Sequence, residues 1–249
     1  MQMLKRVISL IITSLLLNSC SVSYPKNSLI QDLERLVKKE YGLDSKAFIV
    51  GKTLYLDIKL NELTSKNLVD KMQAALQATI RAVLSSDSDT KYIVVTVYNR
   101  DKSISFRIAC NIDDVKRYCY KLISHSDYES RIILELYGPP IVARIAEDRY
   151  DITDSEYIGR LIASQLNNII FRANPEFDAF ASSFQLHYLS EIKGNLILLI
   201  SGNADEEVIS IVESFLKEGM QEYFKKYSIS FTGVKVITST GKTMIHISS

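Results

Sequence analysis

The sequence predicts an α+β protein, with antiparallel sheets, helices packed on one face, and a ββαββ unit that occurs twice. Three observations carry that expectation. Short segments alternate apolar and polar residues with the period of a half-buried strand, as where Leu54, Leu56, Ile58 and Leu60 alternate with Thr53, Tyr55, Asp57 and Lys59. Longer segments between them gather apolar residues on one helical stripe, as Leu68, Met72, Leu76, Ile80 and Val83 do. The order strand–strand–helix–strand–strand over residues 47–108 then returns at nearly equal length over 184–247.

Taken in order, Ser28 stands where it would cap a helix reaching about Tyr41, with Leu29, Leu33, Leu36 and Val37 as its stripe and Gly42 as its stop. Residues 47–50 and 53–60 form a hairpin around Gly51-Lys52, and a helix follows over 64–84. Residues 92–98 and 103–110 make a second hairpin. Asp113 and Asp114 open a helix to about Ser124, their charge suiting its N-terminus. A strand over 131–137 stops at Gly138-Pro139-Pro140, and 141–152 reads as a strand or an irregular crossing. Asp154 caps a helix to about Arg172 with Ile158, Leu161, Ile162 and Leu166 inward. The second unit follows as a hairpin around Lys193-Gly194-Asn195, a helix over 205–227, and a closing hairpin around Gly241-Lys242. Residues 196–200 are apolar throughout, as in a strand covered on both faces, which favours two halves packed together.

The first twenty residues have a different logic. Lys5 and Arg6 precede an almost unbroken apolar run over 7–17, too short to span a bilayer core as a helix, which needs about 20 residues. The run closes with Leu17-Asn18-Ser19-Cys20, which resembles the lipobox of bacterial lipoproteins. The resemblance implies cleavage between Ser19 and Cys20, diacylglycerol on the Cys20 thiol, and a chain held to a membrane by that lipid. Several acyl chains on one residue make such anchoring stable where one chain does not. Ser21 is not the aspartate that favours inner-membrane retention in that family, so in a host with two membranes the outer one is expected. The resulting organisation is a signal peptide over 1–19, a tether over 20–27, a first α+β half over 28–125, a connecting region over 126–180 with its helix at about 154–172, and a second half over 181–249.

Basic and acidic residues number 30 and 29, and without Lys5 and Arg6 the balance is 28 to 29. Such a chain has no global field to draw it onto nucleic acid, and no nucleic-acid partner is expected. With Cys20 consumed by lipid, Cys110 and Cys119 remain in an exported compartment where pairing is allowed. Strand and helix periodicity point both into one core, either as a disulfide or as two buried thiols. Their spacing is not that of a metal site, and no metal or cofactor beyond the covalent lipid at Cys20 is expected.

Two Gly-Lys-Thr triplets, at 51–53 and 241–243, lack the glycine five residues upstream that a phosphate loop requires, and read as hairpin turns. His125, Ser126 and Asp127 are adjacent in sequence, which does not make a triad. His187 and His246 alternate with apolar neighbours and are expected to face solvent. Asp113-Asp114 and Asp205-Glu206-Glu207 fall in first helical turns, where dipole effects account for them. No catalytic residue emerges. The sequence therefore leads to a lipid-anchored, non-enzymatic envelope protein that binds a protein partner or scaffolds an assembly facing the periplasm. The competing expectation is a periplasmic enzyme or small-ligand carrier with its site between the two halves, near Pro139-Pro140.

Overall fold

The computed structural model describes residues 24–60, 65–99, 105–137, 149–173, 185–201, 206–227, 232–238 and 240–248. The leader, Cys20, most of the tether and the Gly138-Pro139-Pro140 crossing lie outside them. In chain order the elements are α1 (Leu29–Tyr41), β1 (Ser45–Val50), β2 (Thr53–Leu60), α2 (Ser65–Leu84), β3 (Tyr92–Asn99), β4 (Ser105–Asn111), α3 (Ile112–Cys119), α4 (His125–Glu129) and β5 (Ile133–Tyr137). They continue with α5 (Asp154–Ala173), β6 (Gln185–Ile192), β7 (Asn195–Ser201), α6 (Glu206–Tyr227), β8 (Gly233–Thr238) and β9 (Thr243–Ser248).

The class is α+β, but the sheets are mixed rather than antiparallel. The first runs β1-β2-β3-β4-β5 and the second β6-β7-β8-β9. In both, two antiparallel hairpins are joined at the centre by a parallel pair, β2 with β3 and β7 with β8. Turn residues fix only the strands they join. A helix between two hairpins carries the chain back to its starting end, and that crossover makes the central pair parallel. The two units thus share strand order and pairing sense as well as element order.

Local chemistry explains most of the element ends. Gly42 closes α1 in the left-handed region at φ 66°. Ser28 occupies the position before α1 without a side-chain cap, its hydroxyl donating instead to the Pro25 carbonyl at 3.3 Å. The helix expected to reach Ser124 stops at Cys119. A second short helix begins after Ser124, whose Oγ accepts from Asp127 N at 3.0 Å.

Helices cover the first sheet on both faces rather than on the one face expected. Its uniformly apolar face, with Leu54, Leu56, Ile93, Val95 and Phe106, packs beneath Leu29, Leu33 and Val37 of α1 and Met72, Ala75 and Leu76 of α2. On the opposite face Tyr55, Tyr92, Val94, Ala109 and Ile133 meet Tyr157, Ile158, Leu161 and Ile162 of α5. The same cluster continues through Leu196, Leu198, Ile200, Val234 and Val236 of the second sheet to Val208, Val212 and Leu216 of α6. One core therefore runs from the first sheet through α5 into the second unit.

α5 also completes the sheet edges. Leu134 N donates to Ser164 Oγ at 3.0 Å and that hydroxyl donates to the Leu134 carbonyl at 3.0 Å, on the free side of β5. Three residues on, Asn167 Oδ1 accepts from Leu186 N and its Nδ2 donates to the Leu186 carbonyl, both at 2.9 Å, on β6. Asn167→Leu strands a buried donor and acceptor together, and the expected loss is about 1–3 kcal/mol of unfolding free energy in urea titrations. A change within about 0.5 kcal/mol, the range of ordinary surface substitutions, would show this edge cap to be dispensable.

Candidate functional site

Two places on the described surface and interior gather chemistry: an apolar groove on the first unit and a polar seam between the first sheet and α5. The groove arises because the first sheet has a fifth strand. α2 lies over β3, so the apolar underside of β4 and β5, formed by Phe106, Ile108 and Leu134, extends past it. Met72, Leu76 and Ile80, spaced four apart on α2, make one wall. Val115, Tyr118 and Cys119 of α3 with His125 and Tyr128 of α4 make the other. The enclosed space is about 590 Å³, within the range of small-molecule and peptide side-chain pockets.

Local contacts hold the second wall in place. Asn111 Oδ1 accepts from Asp113 N at 2.8 Å and starts α3. Buried Arg131 and Asp114 pair at 2.8 Å beneath the α3–α4 turn. The Tyr118 and Tyr128 rings stack with centroids 4.7 Å apart at 8°, and His125 leans on Tyr118 at 5.7 Å. His125 Nε2 lies 3.1 Å from Glu129 Oε1 at the rim, where Gln73 and Gln77 also sit. Burial pushes the Tyr128 hydroxyl above its ordinary pKa, keeping it neutral. The groove is thus apolar inside and polar only at its lip, which suits an apolar chain.

His125, Ser126 and Asp127 accordingly serve as helix: His125 contributes to the wall and Asp127 is held by the Ser124 cap. Cys110 and Cys119 are free thiols, the first buried and the second exposed, so they do not share one core. Burial, helped by Asp114, pushes the Cys110 thiol up to about 12, which leaves it unreactive at neutral pH. Cys119, at the end of α3, borders the groove instead. Among the described residues no set of three or more His, Cys, Asp or Glu side chains is placed to hold a metal, and no helix is long and apolar enough to cross a membrane. Both Gly-Lys-Thr triplets lie at turns, with φ 57° at Gly51 and 80° at Gly241. Gly51 has a further reason. Asp151 closes over that turn, accepting from Lys52 N at 2.8 Å, where any Cβ on residue 51 would collide with its carboxylate.

The polar seam was not legible as a site. Along the face of the first sheet turned to α5, register brings Asp57, Thr96, Arg107 and Glu135 into one row. Arg160 of α5 reaches into it, 3.2 Å from Glu156 and 3.7 Å from Glu135, and its Nη2 donates to Tyr150 Oη at 2.5 Å. Burial opposes the charge on Arg160, but Glu135 and the other acidic neighbours outweigh it and hold its pKa above the ordinary value. Arg149 pairs with Asp57 and its guanidinium lies 3.8 Å over the Phe48 ring. Tyr55 Oη donates to the Tyr150 carbonyl at 2.6 Å. His187, expected to face solvent, instead stacks on Tyr137 at 5.7 Å and 17°, so one group from the second unit joins the seam. His246 is exposed as expected. The signal for the seam was there in part: Tyr55, Asp57 and Lys59 fill the polar phase of β2, a phase that alternation assigns to water.

No family model matches the chain, and no curated protein or solved structure does.

Two measurements probe the seam. Arg160→Met leaves Glu135 and Glu156 buried without their partner, and the expected destabilisation is about 3–5 kcal/mol; the Glu135→Gln, Glu156→Gln, Arg160→Met triple variant recovers part of it. Equal losses in the two would show that packing, not charge, holds the seam. His187 gives a pH dependence of definite sign. Burial depresses its pKa below 6.5, against the pull of Glu135, so the unfolded chain takes the proton first. Its contribution is complete above about 6.5 and falls away as pH drops toward the folded value. In His187→Phe, which keeps the ring contact, that acid-side loss is expected to shrink; an unchanged pH–stability profile would show that His187 does not titrate against folding.

Proposed function

We propose that this is a lipid-anchored, non-catalytic binding module of the bacterial cell envelope, whose first unit receives an apolar segment of a protein partner. The observation that carries the reading is the apolar groove between α2, α3–α4 and the underside of β4–β5. A concave apolar pocket with a few polar side chains at its rim is the kind of surface that receives apolar groups of a ligand or partner, and this supports the reading. The anchor is read from Lys5, Arg6, the apolar run over 7–17 and Leu17-Asn18-Ser19-Cys20, with Cys20 as the lipidated residue. The last residues of a tether over 20–27 are held to the domain, Tyr24 N donating to the Ser85 carbonyl at 3.2 Å and Lys26 N donating to Asp87 Oδ1 at 2.6 Å. The tether keeps the module close to the membrane that carries it, and Ser21 favours the periplasmic side of the outer membrane.

The second reading, a periplasmic enzyme or small-ligand carrier with its site between the halves, is favoured by one observation: Glu135, Tyr137 and Arg160 converge with His187 from the second unit. It ranks lower because the seam's charges are paired with each other, Arg160 with Glu135 and Glu156, and Arg149 with Asp57, although Glu135 Oε2 accepts no hydrogen bond among the described residues. A stability gain with a small polar envelope metabolite, lost in Glu135→Gln, would reverse the ranking.

The anchor and the groove are tested separately. Cys20→Ala is expected to abolish fatty-acid labelling and the need for detergent in extraction; persistent labelling would refute the lipidation of Cys20. A photo-crosslinking residue at position 134, in the groove, is expected to give a discrete adduct of one envelope protein in intact cells. The same residue at 193, in the β6–β7 turn, is expected to give none. Equal adducts from both positions, or none from 134, would remove the groove as the binding site.

A further inference from the structure

Four strands end the two sheets, and three of them are shielded. On β1, Glu34 Oε1 of α1 accepts from Ala47 N at 2.8 Å. On β5 and β6 the bonds from Ser164 and Asn167 occupy the outward groups of Leu134 and Leu186. Each of these strands also carries a charged residue, Lys46, Glu135 and Glu191 respectively. Helix cover and edge charges are the means by which natural sheets prevent pairing with another chain.

β9 has neither. Its sequence, Thr-Met-Ile-His-Ile-Ser, contains no Lys, Arg, Asp, Glu or Pro. Among the described residues no side chain hydrogen-bonds to its backbone, and β8 pairs with one side of it only. Ile245, buried, and Ile247 belong to the apolar face that Val208, Val212 and Leu216 of α6 cover, while His246 on the opposite face is exposed. The strand has one irregularity, a bulge at Met244 opposite the Val236–Ile237 step of β8. Beyond it, residues 245–248 pair regularly, are apolar on one side and, among the described residues, are open along the outer edge.

We propose that β9 is the interface of a two-fold homodimer, pairing antiparallel with β9 of a second copy so that two four-stranded sheets become one continuous sheet. A second copy is the occupant that this edge fits. An antiparallel edge is self-complementary under a two-fold axis, as an isologous interface requires. A strand without fixed charge meets its own copy with no like charges opposed, which the other three end strands do not. Pairing also places Ile245 and Ile247 beside the same residues of the partner strand, extending the covered apolar face across the axis. The proposal is independent of the groove and of the lipid anchor.

Sedimentation velocity on the Cys20→Ser protein, with reductant present so that exposed Cys119 forms no cross-link, is expected to give twice the mass of one chain. His246→Asp, at an exposed position, sets like charges together across the axis and is expected to halve that mass without changing the circular dichroism spectrum. His246→Lys, at the same exposed position, is expected to do the same and serves if the first variant folds poorly. In the unaltered strand, exchange of the β9 amides is expected to slow as protein concentration rises. A monomer throughout the concentration range would overturn the proposal. So would a dimer that both variants leave intact, or one broken by Leu134→Glu instead, which would move the interface to the groove.

Discussion

The rest of the structure depends on one helix satisfying two sheet edges at once. Ser164 and Asn167 are three residues apart and so lie on the same side of α5, yet one completes β5 and the other β6. Leaving those donors and acceptors unpaired beside a core would cost free energy at each group. The two hydroxyl and two amide bonds therefore fix where each sheet can sit along the helix. Gly159 sets how close: any side chain there would collide with Tyr188 and Leu196, so β6 and β7 rest against the helix backbone. Tyr157 does the equivalent on the other side, stacking on Tyr92 at 4.9 Å and donating to the Arg131 carbonyl at 2.6 Å. Edge satisfaction, a missing side chain and one buried tyrosine define the joint between the units.

That joint is the part least legible in the sequence. Strands and helices were readable because their burial follows a period of 2 or 3.6, and the hairpin turns because Gly51, Gly194 and Gly241 take the positive φ such turns need. Pairing between β2 and β3 was not, since nothing local to residues 53–60 or 92–99 records which strand lies across the crossover. The same limit hid the seam. Asp57 and Arg107 sit at positions where alternation predicts water, and they are buried because α5 and the segment before it pack on that face. His187 shows the principle in one residue: its phase along β6 was read correctly, and its exposure was not, because Tyr137 comes from 50 residues earlier in the chain. Periodicity gives the face of a strand. It does not say what covers that face.

The two units also show what an added element does to an otherwise repeated plan. Both have a parallel central pair, one crossover helix and two outer hairpin strands. Among the described residues the second has only these four strands, and β9 lies at the end of its sheet. The first continues through α3 and α4 into β5, which widens the sheet beyond the cover that α1 and α2 provide. Widening closes one edge by handing it to α5 and at the same time opens the underside of β4–β5. The groove is thus a direct consequence of the strand that ties the units together, rather than an independent feature of the surface.

This coupling constrains how the groove can be altered. Leu134 contributes its side chain to the groove on one face while its backbone N–H and carbonyl are held by Ser164. Ile133, its neighbour, points the other way into the core shared with α5. A side-chain substitution at 134 leaves the Ser164 bonds in place and changes only the groove, whereas a shift of the strand by one residue would exchange the two faces and undo the core. The register of β5 is therefore locked by α5, and the floor of the groove inherits that rigidity. On the proposed reading, a groove held in this way receives one arrangement of apolar groups without first ordering itself. That separates a rigid floor made by the sheet from a wall made by the short helices α3 and α4, where adaptation to a partner would have to occur.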